Sequence, residues 1–253
     1  MTNKLKYFVG NWKMFGDFNS FKIIKTMNIY YKKIRQKGKN NKIIVCVPSL
    51  LINFFKKKLK SNGIILGAQN CSPYESYGPH TGSISAHMLK KAGSKYIILG
   101  HSENRIDGET PQLIKRKIFS ALKENLIVIF CVGETFSEKN RGRTFSVLAK
   151  QIKNSIEKKF NLKRIIIAYE PVWSIGTGRI PKIYDLKKTL SFIKNFFKKR
   201  FKTKKYPTIL YGGSVNGKNI KIFTSIDEID GFLIGGASQS SKKFIDIIKN
   251  YYK

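Results

Sequence analysis

The sequence predicts an α/β fold, a (β/α)8 barrel closed by eight strand–helix units, within a single domain over residues 1–253. The first observation is that short apolar segments, suited to buried parallel strands, recur along the whole chain. The second is that Lys-rich stretches with helical spacing separate these segments. A doubly wound open sheet is the alternative. That fold usually carries a glycine-rich dinucleotide turn after its first strand, whereas this chain has Asn11-Trp12-Lys13 there.

The predicted strands are runs of β-branched, aliphatic or aromatic residues, as expected for strands buried on both faces. In chain order they are Tyr7–Gly10, Lys42–Val47, Ile64–Gln69, Tyr96–Gly100, Ile127–Val132, Arg164–Tyr169, Thr208–Tyr211 and Gly231–Ile234. The stretch after the sixth strand illustrates the intervening helices, because apolar side chains recur there on one helical face, at Leu186, Leu190, Ile193 and Phe197. Neighbouring lysines lie off that face, as in a surface helix.

The charge balance is strongly basic, with 49 Lys and Arg residues against 15 Asp and Glu and a formal net charge of +34. Nucleic-acid binding is one interpretation, because basic runs such as residues 198–205 can contact phosphates. The lysines are nevertheless spread along the whole chain, and no helix-turn-helix, RNP-like or zinc-finger pattern accompanies them. We therefore favour solvated lysine faces, whose positive field would attract anionic substrates.

Three features of the chain bear on its compartment. No apolar run approaches the roughly 20 residues of a membrane span. The first predicted strand begins at Tyr7, which leaves no room for a targeting segment. Cys46, Cys71 and Cys131 lack metal-ligand spacing, so we expect reduced and mostly buried thiols. These features predict a cytoplasmic protein with no membrane contact.

Polar and glycine residues follow the predicted strands, where barrel enzymes carry their chemistry. In chain order they are Asn11 and Lys13, Gln69 and Asn70, His101 to Glu103, Glu134, Glu170, Gly212 to Ser214, and Gly235 with Gly236. Individually they have ordinary structural interpretations, since Glu103 or Glu134 could stabilise a helix N-terminus and a glycine pair could be only a turn. Together they predict a base, an imidazole, an ammonium group and phosphate-binding backbone on one rim.

The segment Ala168–Gly178 has the composition of a mobile lid over that rim. Glu170 stands at the end of the sixth strand, and Pro171 prevents the strand from simply continuing. Val172 and Trp173 then lead to a tip of Ser, Ile and spaced glycines, whose backbone N–H groups can approach an anion. The sequence thus places a carboxylate beneath a flexible cover.

Several of these segments together resemble the triosephosphate isomerase family. They follow one another in the family's order, as Val9–Met14, Gly67–Asn70, Gly100–Glu103, Cys131–Glu134, Ala168–Gly178, Tyr211–Val215 and Gly235–Ser238. The resemblance implies a TIM-barrel homodimer that interconverts dihydroxyacetone phosphate and glyceraldehyde 3-phosphate in glycolysis and gluconeogenesis. It implies no metal and no organic cofactor.

The resemblance also implies a role for each polar residue of the rim. Glu170 would be the base that takes a proton from the carbon beside the carbonyl, forming an enediolate. His101 would polarise the carbonyl as a neutral imidazole and move protons between the oxygens, a pattern known for this family. Lys13 would be a fixed ammonium beside the substrate, Asn11 would hydrogen-bond the substrate oxygens, and Glu103 would orient Lys13.

Phosphate binding falls, by the same resemblance, to the backbone N–H groups of Gly176, Ser214, Gly235 and Gly236. Gly176 would arrive only when the lid closes. Thr81 matches the family residue that reaches toward the partner's active site.

Two departures from the family pattern concern the expected dimer. Asn104 stands where the family usually has Arg, and Ser83 stands where it usually has Glu. Those two family residues commonly form an ion pair across the interface. Because both are replaced here, no unpaired buried charge would remain. We expect a dimer with altered interface electrostatics.

Two further departures lie elsewhere. Arg179-Ile180-Pro181 follows the lid, where the family usually has Lys and small residues. Pro181 fixes one backbone torsion, so we expect a stiffer second hinge with the chemistry retained. Gln239 stands where Leu is common, and nothing in the sequence explains it.

Two other function classes remain open from the sequence. Another phosphate-binding barrel enzyme would share the glycine amides but would need a different set of acid–base residues. A basic nucleic-acid-binding role would be a second function on a retained enzyme, and binding that survives loss of Glu170 would distinguish it.

Overall fold

The computed structural model describes residues 4–59 and 63–253 and contains the predicted closed barrel. The parallel strands are β1 (Lys6–Asn11), β2 (Asn41–Cys46), β3 (Ile65–Ala68), β4 (Tyr96–Leu99), β5 (Ile127–Val132), β6 (Ile165–Tyr169), β7 (Thr208–Tyr211) and β8 (Gly231–Ile234). They pair in chain order, and β8 pairs with β1 to close the sheet. The strand predictions are confirmed, with small shifts at the ends.

Helices surround this barrel. The α-helices are α1 (Phe21–Gln36), α2 (Ser49–Lys58), α3 (Ala86–Lys91), α4 (Ser102–Ile106), α5 (Pro111–Lys123), α6 (Phe136–Asn140), α7 (Thr144–Ser155), α8 (Ile183–Phe201) and α9 (Ser241–Tyr251). Shorter 3₁₀ helices lie at Phe18–Ser20, Leu162–Arg164, Val172–Ser174, Ile220–Ser225 and Gly236–Gln239.

The connection from β7 to β8 departs from the regular strand–helix rhythm, because it holds only the 3₁₀ helix Ile220–Ser225. Two asparagines shape the turn before this helix. The Asn216 side chain accepts hydrogen bonds from the N–H groups of Lys218 and Asn219. The Asn219 amide in turn donates to the carbonyl of Ser214 over 3.0 Å. Local side-chain bonds thus hold the loop that follows β7 in place of a helical turn.

Alternation of side chains along the strands divides the core into two layers. One cluster fills the barrel interior and consists of Val9, Ile44, Cys46, Tyr96, Ile98, Ile129, Cys131, Ile166, Ala168, Leu210 and Leu233. Their neighbours along each strand belong to the larger cluster between sheet and helices. Because successive strand side chains point to opposite faces, Asn11 lies on the same inner face of the barrel as Val9. Likewise, Glu170 lies on the same inner face as Ala168.

The cysteines lie in these layers. Cys46, Cys71 and Cys131 are all buried free thiols. Burial raises the pKa of the Cys71 thiol to about 12, so this group stays protonated near neutral pH. Within the described ranges 4–59 and 63–253, no helix combines the length and apolar character that crossing a membrane requires.

Candidate active site

A cavity of about 760 Å³ opens at the carboxyl ends of the strands. The predicted site residues that line it are Asn11, Lys13, His101, Glu170, Gly176, Ser214, Gly235 and Gly236. Glu103 and Thr81 are not on its wall. The structure therefore brings together, from five strand ends and the lid, the residues that the sequence predicts for catalysis and phosphate binding.

Glu170 follows β6 directly, and only 4% of its surface is exposed. Its Oε1 lies 3.6 Å from Nε2 of His101. Its Oε2 is buried and has no hydrogen-bond partner within the described part of the chain. A carboxylate on the wall of a cavity, with one oxygen not bound by the described residues, is suited to accept a proton from a bound molecule.

Two glycines make room for this carboxylate. A Cβ at Gly212 would lie 2.5 Å from Cγ of Glu170, and a Cβ at Gly133 would lie 1.8 Å from the Glu170 carbonyl oxygen. Gly133 is itself held by Gln151, whose amide exchanges two hydrogen bonds of 2.9 Å with its backbone. Any side chain at either glycine would displace Glu170.

His101 is the N-cap of α4, and its Nδ1 accepts a hydrogen bond of 3.3 Å from the backbone N–H of Glu103. A ring nitrogen that accepts a hydrogen bond carries no proton, so the proton of the neutral ring is on Nε2. That nitrogen faces Glu170. The site therefore presents an imidazole N–H donor beside a carboxylate acceptor.

Lys13 brings an ammonium group to the same cavity from the end of β1. Its Nζ forms an ion pair with Oε1 of Glu103. Its backbone is left-handed, with φ of 56°, which is uncommon for a residue other than glycine. The Oδ1 of Asn11 accepts a hydrogen bond of 3.0 Å from the Lys13 N–H. That bond uses the carbonyl oxygen of the Asn11 side chain, whose NH2 group remains a donor.

The loops after β7 and β8 contribute the backbone expected to bind phosphate. In the β7 loop, a Cβ at Gly213 would lie 2.2 Å from the Tyr211 hydroxyl, so this position admits only glycine without rearrangement. The N–H of Ser214 donates a hydrogen bond of 3.2 Å to the Ser174 hydroxyl. Gly235 lies beside Lys13, whose Cε would be 3.6 Å from an added Cβ.

The base of the lid is anchored by Glu134, which is 1% exposed. Its carboxylate accepts hydrogen bonds from the Trp173 indole at 2.9 Å and from the Tyr169 hydroxyl at 3.2 Å. Burial raises the pKa of this carboxyl, although these bonds partly offset the effect. The interpretation of Glu134 as a helix-terminal carboxylate is wrong, because α6 begins later and is capped by Thr135 and Glu138.

The tip of the lid carries two glycines with left-handed backbone, Gly176 at φ of 70° and Gly178 at φ of 78°. The tip is exposed, whereas Pro181 at the far hinge is buried and Ile180 packs against the core. Inside the lid, the Ser174 hydroxyl donates to the Arg179 carbonyl over 2.5 Å. An exposed tip thus lies between two ends that pack against the barrel.

Arg105 is a functional neighbour that sequence reasoning missed. Its Nε donates to the Gly100 carbonyl at 2.7 Å, and its Nη2 donates to the Cys131 carbonyl at 3.1 Å. Partial burial lowers the pKa of its guanidinium. Arg105 therefore ties the ends of β4 and β5 together immediately beside His101. Its adjacency to the His101 motif was the only signal for it in the sequence.

The residues of the expected dimer contact lie away from the cavity. Thr81 and Ser83 are exposed on a turn between β3 and α3 that includes Gly82 at φ of 80°. Asn104 is half-buried in α4, and its carbonyl accepts a hydrogen bond from the Glu109 N–H. No hydrogen bond joins Asn104 to Ser83 among the described residues.

Comparison with known proteins agrees with this geometry. The family model described as triosephosphate isomerase matches residues 6–251. A curated triosephosphate isomerase of Dictyoglomus thermophilum is 41% identical over 97% of this chain and 99% of its own. One from Mesomycoplasma hyopneumoniae is 39% identical over 97% of this chain and 99% of its own. The crystal structure of triosephosphate isomerase from Bartonella henselae superposes with a TM-score of 0.87 at 34% identity, covering 98% of this chain and 99% of that one. The chain belongs to the triosephosphate isomerase family.

Proposed function

We propose that the protein interconverts dihydroxyacetone phosphate and D-glyceraldehyde 3-phosphate with Glu170 as its base and His101 as its electrophile. Family membership over nearly the whole chain supports the reaction, an aldose–ketose isomerisation in glycolysis. The observation that carries the site assignment is the 3.6 Å approach of Glu170 Oε1 to His101 Nε2. Both atoms belong to residues that line the cavity with Lys13 and the loop glycines.

The reaction moves a carbonyl between adjacent carbons, so a proton must leave one carbon and return to the other. Glu170 takes the proton from the carbon beside the carbonyl and later delivers it to the neighbouring carbon. The His101 Nε2–H donates to the carbonyl oxygen while negative charge develops there, and the ring then moves a proton between the two oxygens. No proton is consumed over the cycle, and no other reactant is needed.

Charge on the enediolate is stabilised by groups that are fixed before the substrate arrives. The Lys13 ammonium lies beside the substrate, and Glu103 orients it through their ion pair. The Asn11 amide donates to a substrate oxygen. Donors that need no rearrangement at the moment of reaction contribute most to such stabilisation.

The phosphate of the substrate is bound by backbone N–H groups of Gly176, Ser214, Gly235 and Gly236. Glycine at these positions lets the backbone approach an anion closely. Gly176 contributes once the lid closes, which also excludes water from the enediolate. The net charge of +34 favours encounter with this anionic substrate.

A coupled isomerase assay on the unmodified protein and on Glu170→Asp tests the assignment. Withdrawing the carboxylate by one methylene is expected to lower turnover by about 100-fold, because displacements of about 1 Å have that effect. Glu138→Asp is the matched control, since this exposed carboxylate only caps α6. An inactive unmodified protein, or an unaffected Glu170→Asp, would overturn the proposal.

We also propose a homodimer in which the loop containing Thr81 docks against the partner near its active site. Exposed apolar side chains on rim loops support this, including Met14, which is 100% exposed, and Tyr77, which is 74% exposed. Apolar groups in such positions favour a covered surface. Sedimentation at micromolar concentration is expected to show the dimer, and monomer alone would refute the homodimer.

As an enzyme of central carbon metabolism, the protein would act in the cytoplasm. Nothing in the comparisons favours a nucleic-acid role.

A further inference from the structure

The position of the Lys13 ammonium depends on an unusual stretch of backbone. With φ of 56°, Lys13 occupies the left-handed region, which costs free energy for a residue with a side chain. The surrounding structure must offset that cost. The direction of the Lys13 Cα–Cβ bond therefore depends on the groups that hold the two peptide planes on either side of Lys13.

Side-chain amides hold both planes. In the Trp12–Lys13 peptide, the N–H donates to Asn11 Oδ1 over 3.0 Å, and the carbonyl accepts from Nε2 of Gln239 over 2.8 Å. In the next peptide, the Lys13 carbonyl accepts from Nε2 of Gln69 over 3.0 Å. Asn11 and Gln239 thus hold the plane before Lys13 from its two sides, and Gln69 holds the plane after it.

Gln239 reaches this peptide from the opposite end of the sequence, at the end of the 3₁₀ helix Gly236–Gln239 that follows β8. The contact is supported by a second bond between the same two loops, because the Trp12 indole donates to the Ser238 carbonyl over 2.9 Å. Gln239 itself is not among the residues that line the cavity. Gln239 can then act on the reaction only through backbone, either that of Lys13 or that of the helix Gly236–Gln239 to which it belongs.

We propose that Gln239 is a positioning residue for Lys13, which holds the Trp12 carbonyl so that the left-handed Lys13 directs its ammonium into the cavity. A Leu at this position, which is common in the family, has no donor for that carbonyl. This chain therefore fixes its ammonium with a hydrogen bond of its own. The inference rests on the proposed role of Lys13 beside the substrate.

A double-mutant cycle tests the proposal, with Gln239→Met, Lys13→Met and the two combined. Methionine matches glutamine in length and lacks the donor. Gln239→Met is expected to lower kcat/KM about tenfold when Lys13 is present and less than twofold in the Lys13→Met protein. Such non-additivity is the sign that two residues act as one unit. Equal losses in both backgrounds would show a merely structural role and overturn the proposal.

A second readout needs no turnover. Calorimetry with inorganic phosphate is expected to show weaker binding in Gln239→Met only when Lys13 is present, and equal binding in all four proteins would count against the proposal. Gln151→Met is the matched control, because Gln151 also braces a backbone, that of Gly133. Gln151→Met is expected to lower Tm, and its effect on phosphate binding should be the same with and without Lys13. Absence of isomerase activity in the unmodified protein would instead refute the proposed function.

Discussion

The Ser174 hydroxyl of the lid accepts a hydrogen bond of 3.2 Å from the backbone N–H of Ser214, one of the groups proposed to bind phosphate. The same hydroxyl lies 3.3 Å from the Tyr211 hydroxyl. In this conformation, a residue of the segment proposed to close as a lid thus occupies part of the proposed phosphate site. Under the proposed function, substrate must displace Ser174 from Ser214 before that N–H can donate to the phosphate.

Ser174→Ala is therefore expected to strengthen the binding of inorganic phosphate. Removing a competing hydrogen bond worth about 1 kcal/mol corresponds to roughly fivefold tighter binding. Titration calorimetry measures the effect directly. Thr177→Ala is the control, because within the described chain the Thr177 hydroxyl donates to the carbonyls of Trp173 and Ser174 and accepts from the Arg179 N–H, all inside the lid. Weaker phosphate binding in Ser174→Ala would contradict the competition.

Arg105→Lys is expected to lower both stability and turnover. A single ammonium cannot reproduce the planar guanidinium that reaches the Gly100 and Cys131 carbonyls at once. Leaving one of these carbonyls without its donor should cost roughly 1–3 kcal/mol in the free energy of unfolding, measured by urea denaturation. Arg116→Lys is the control, since among the described residues that guanidinium approaches the Tyr74 ring and bridges no strand ends. Equal stability of the two variants would be the contrary result.

Titration of Glu134 should be visible in the fluorescence of Trp173, whose indole donates to it. The midpoint is expected above the ordinary glutamate value of 4.5, because burial raises the pKa of this carboxyl. The folded state then holds the proton more tightly than the unfolded chain. The contribution of this protonated carboxyl to the free energy of unfolding is fully present below the ordinary pKa of glutamate. It is lost as pH rises through the pKa of Glu134 in the folded state.

Glu134→Gln supplies the reference for that titration, because it should abolish the transition while leaving the emission of the buried Trp12 in place. Circular dichroism recorded in parallel separates the transition from acid unfolding. A midpoint at or below the ordinary value would show that the indole and hydroxyl bonds outweigh burial.

Pro181→Ala is expected to speed amide hydrogen exchange in the lid tip, residues 176–179, while retaining the chemistry. Alanine restores the freedom of the backbone torsion φ at the far hinge, which the proline ring fixes. Pro111→Ala is the control, because Pro111 starts α5 away from the lid. Unchanged lid exchange together with unchanged turnover would count against a stiff hinge.

The sequence was sufficient for the barrel and for most of the cavity wall because both follow from local patterns. Buried parallel strands are continuous apolar runs, and strand alternation places Asn11 and Glu170 on the inner side of the rim. Loops that follow parallel strands meet at one end of the barrel, whichever residues they contain.

Long side chains that tie distant backbone together could not be predicted in this way. The acceptors of Arg105 lie on two different strands, so its direction depends on how β4 and β5 are paired. Gln239 meets Trp12 only because β8 closes the sheet against β1. Glu134 was visible as a carboxylate, but its partners became evident only from the packing of the lid base.

Gly133 and Gly212 flank Glu170, the proposed base, with no side-chain atoms, and a methyl group at either position would overlap Glu170. The position of the Glu170 carboxylate consequently depends on the absence of a side chain at Gly133 and Gly212. In a saturation screen for activity, both positions would tolerate as little change as Glu170 itself, although neither offers a functional group to the reaction. Such a screen would identify both glycines as essential, and the structure shows that their role is to leave space for Glu170.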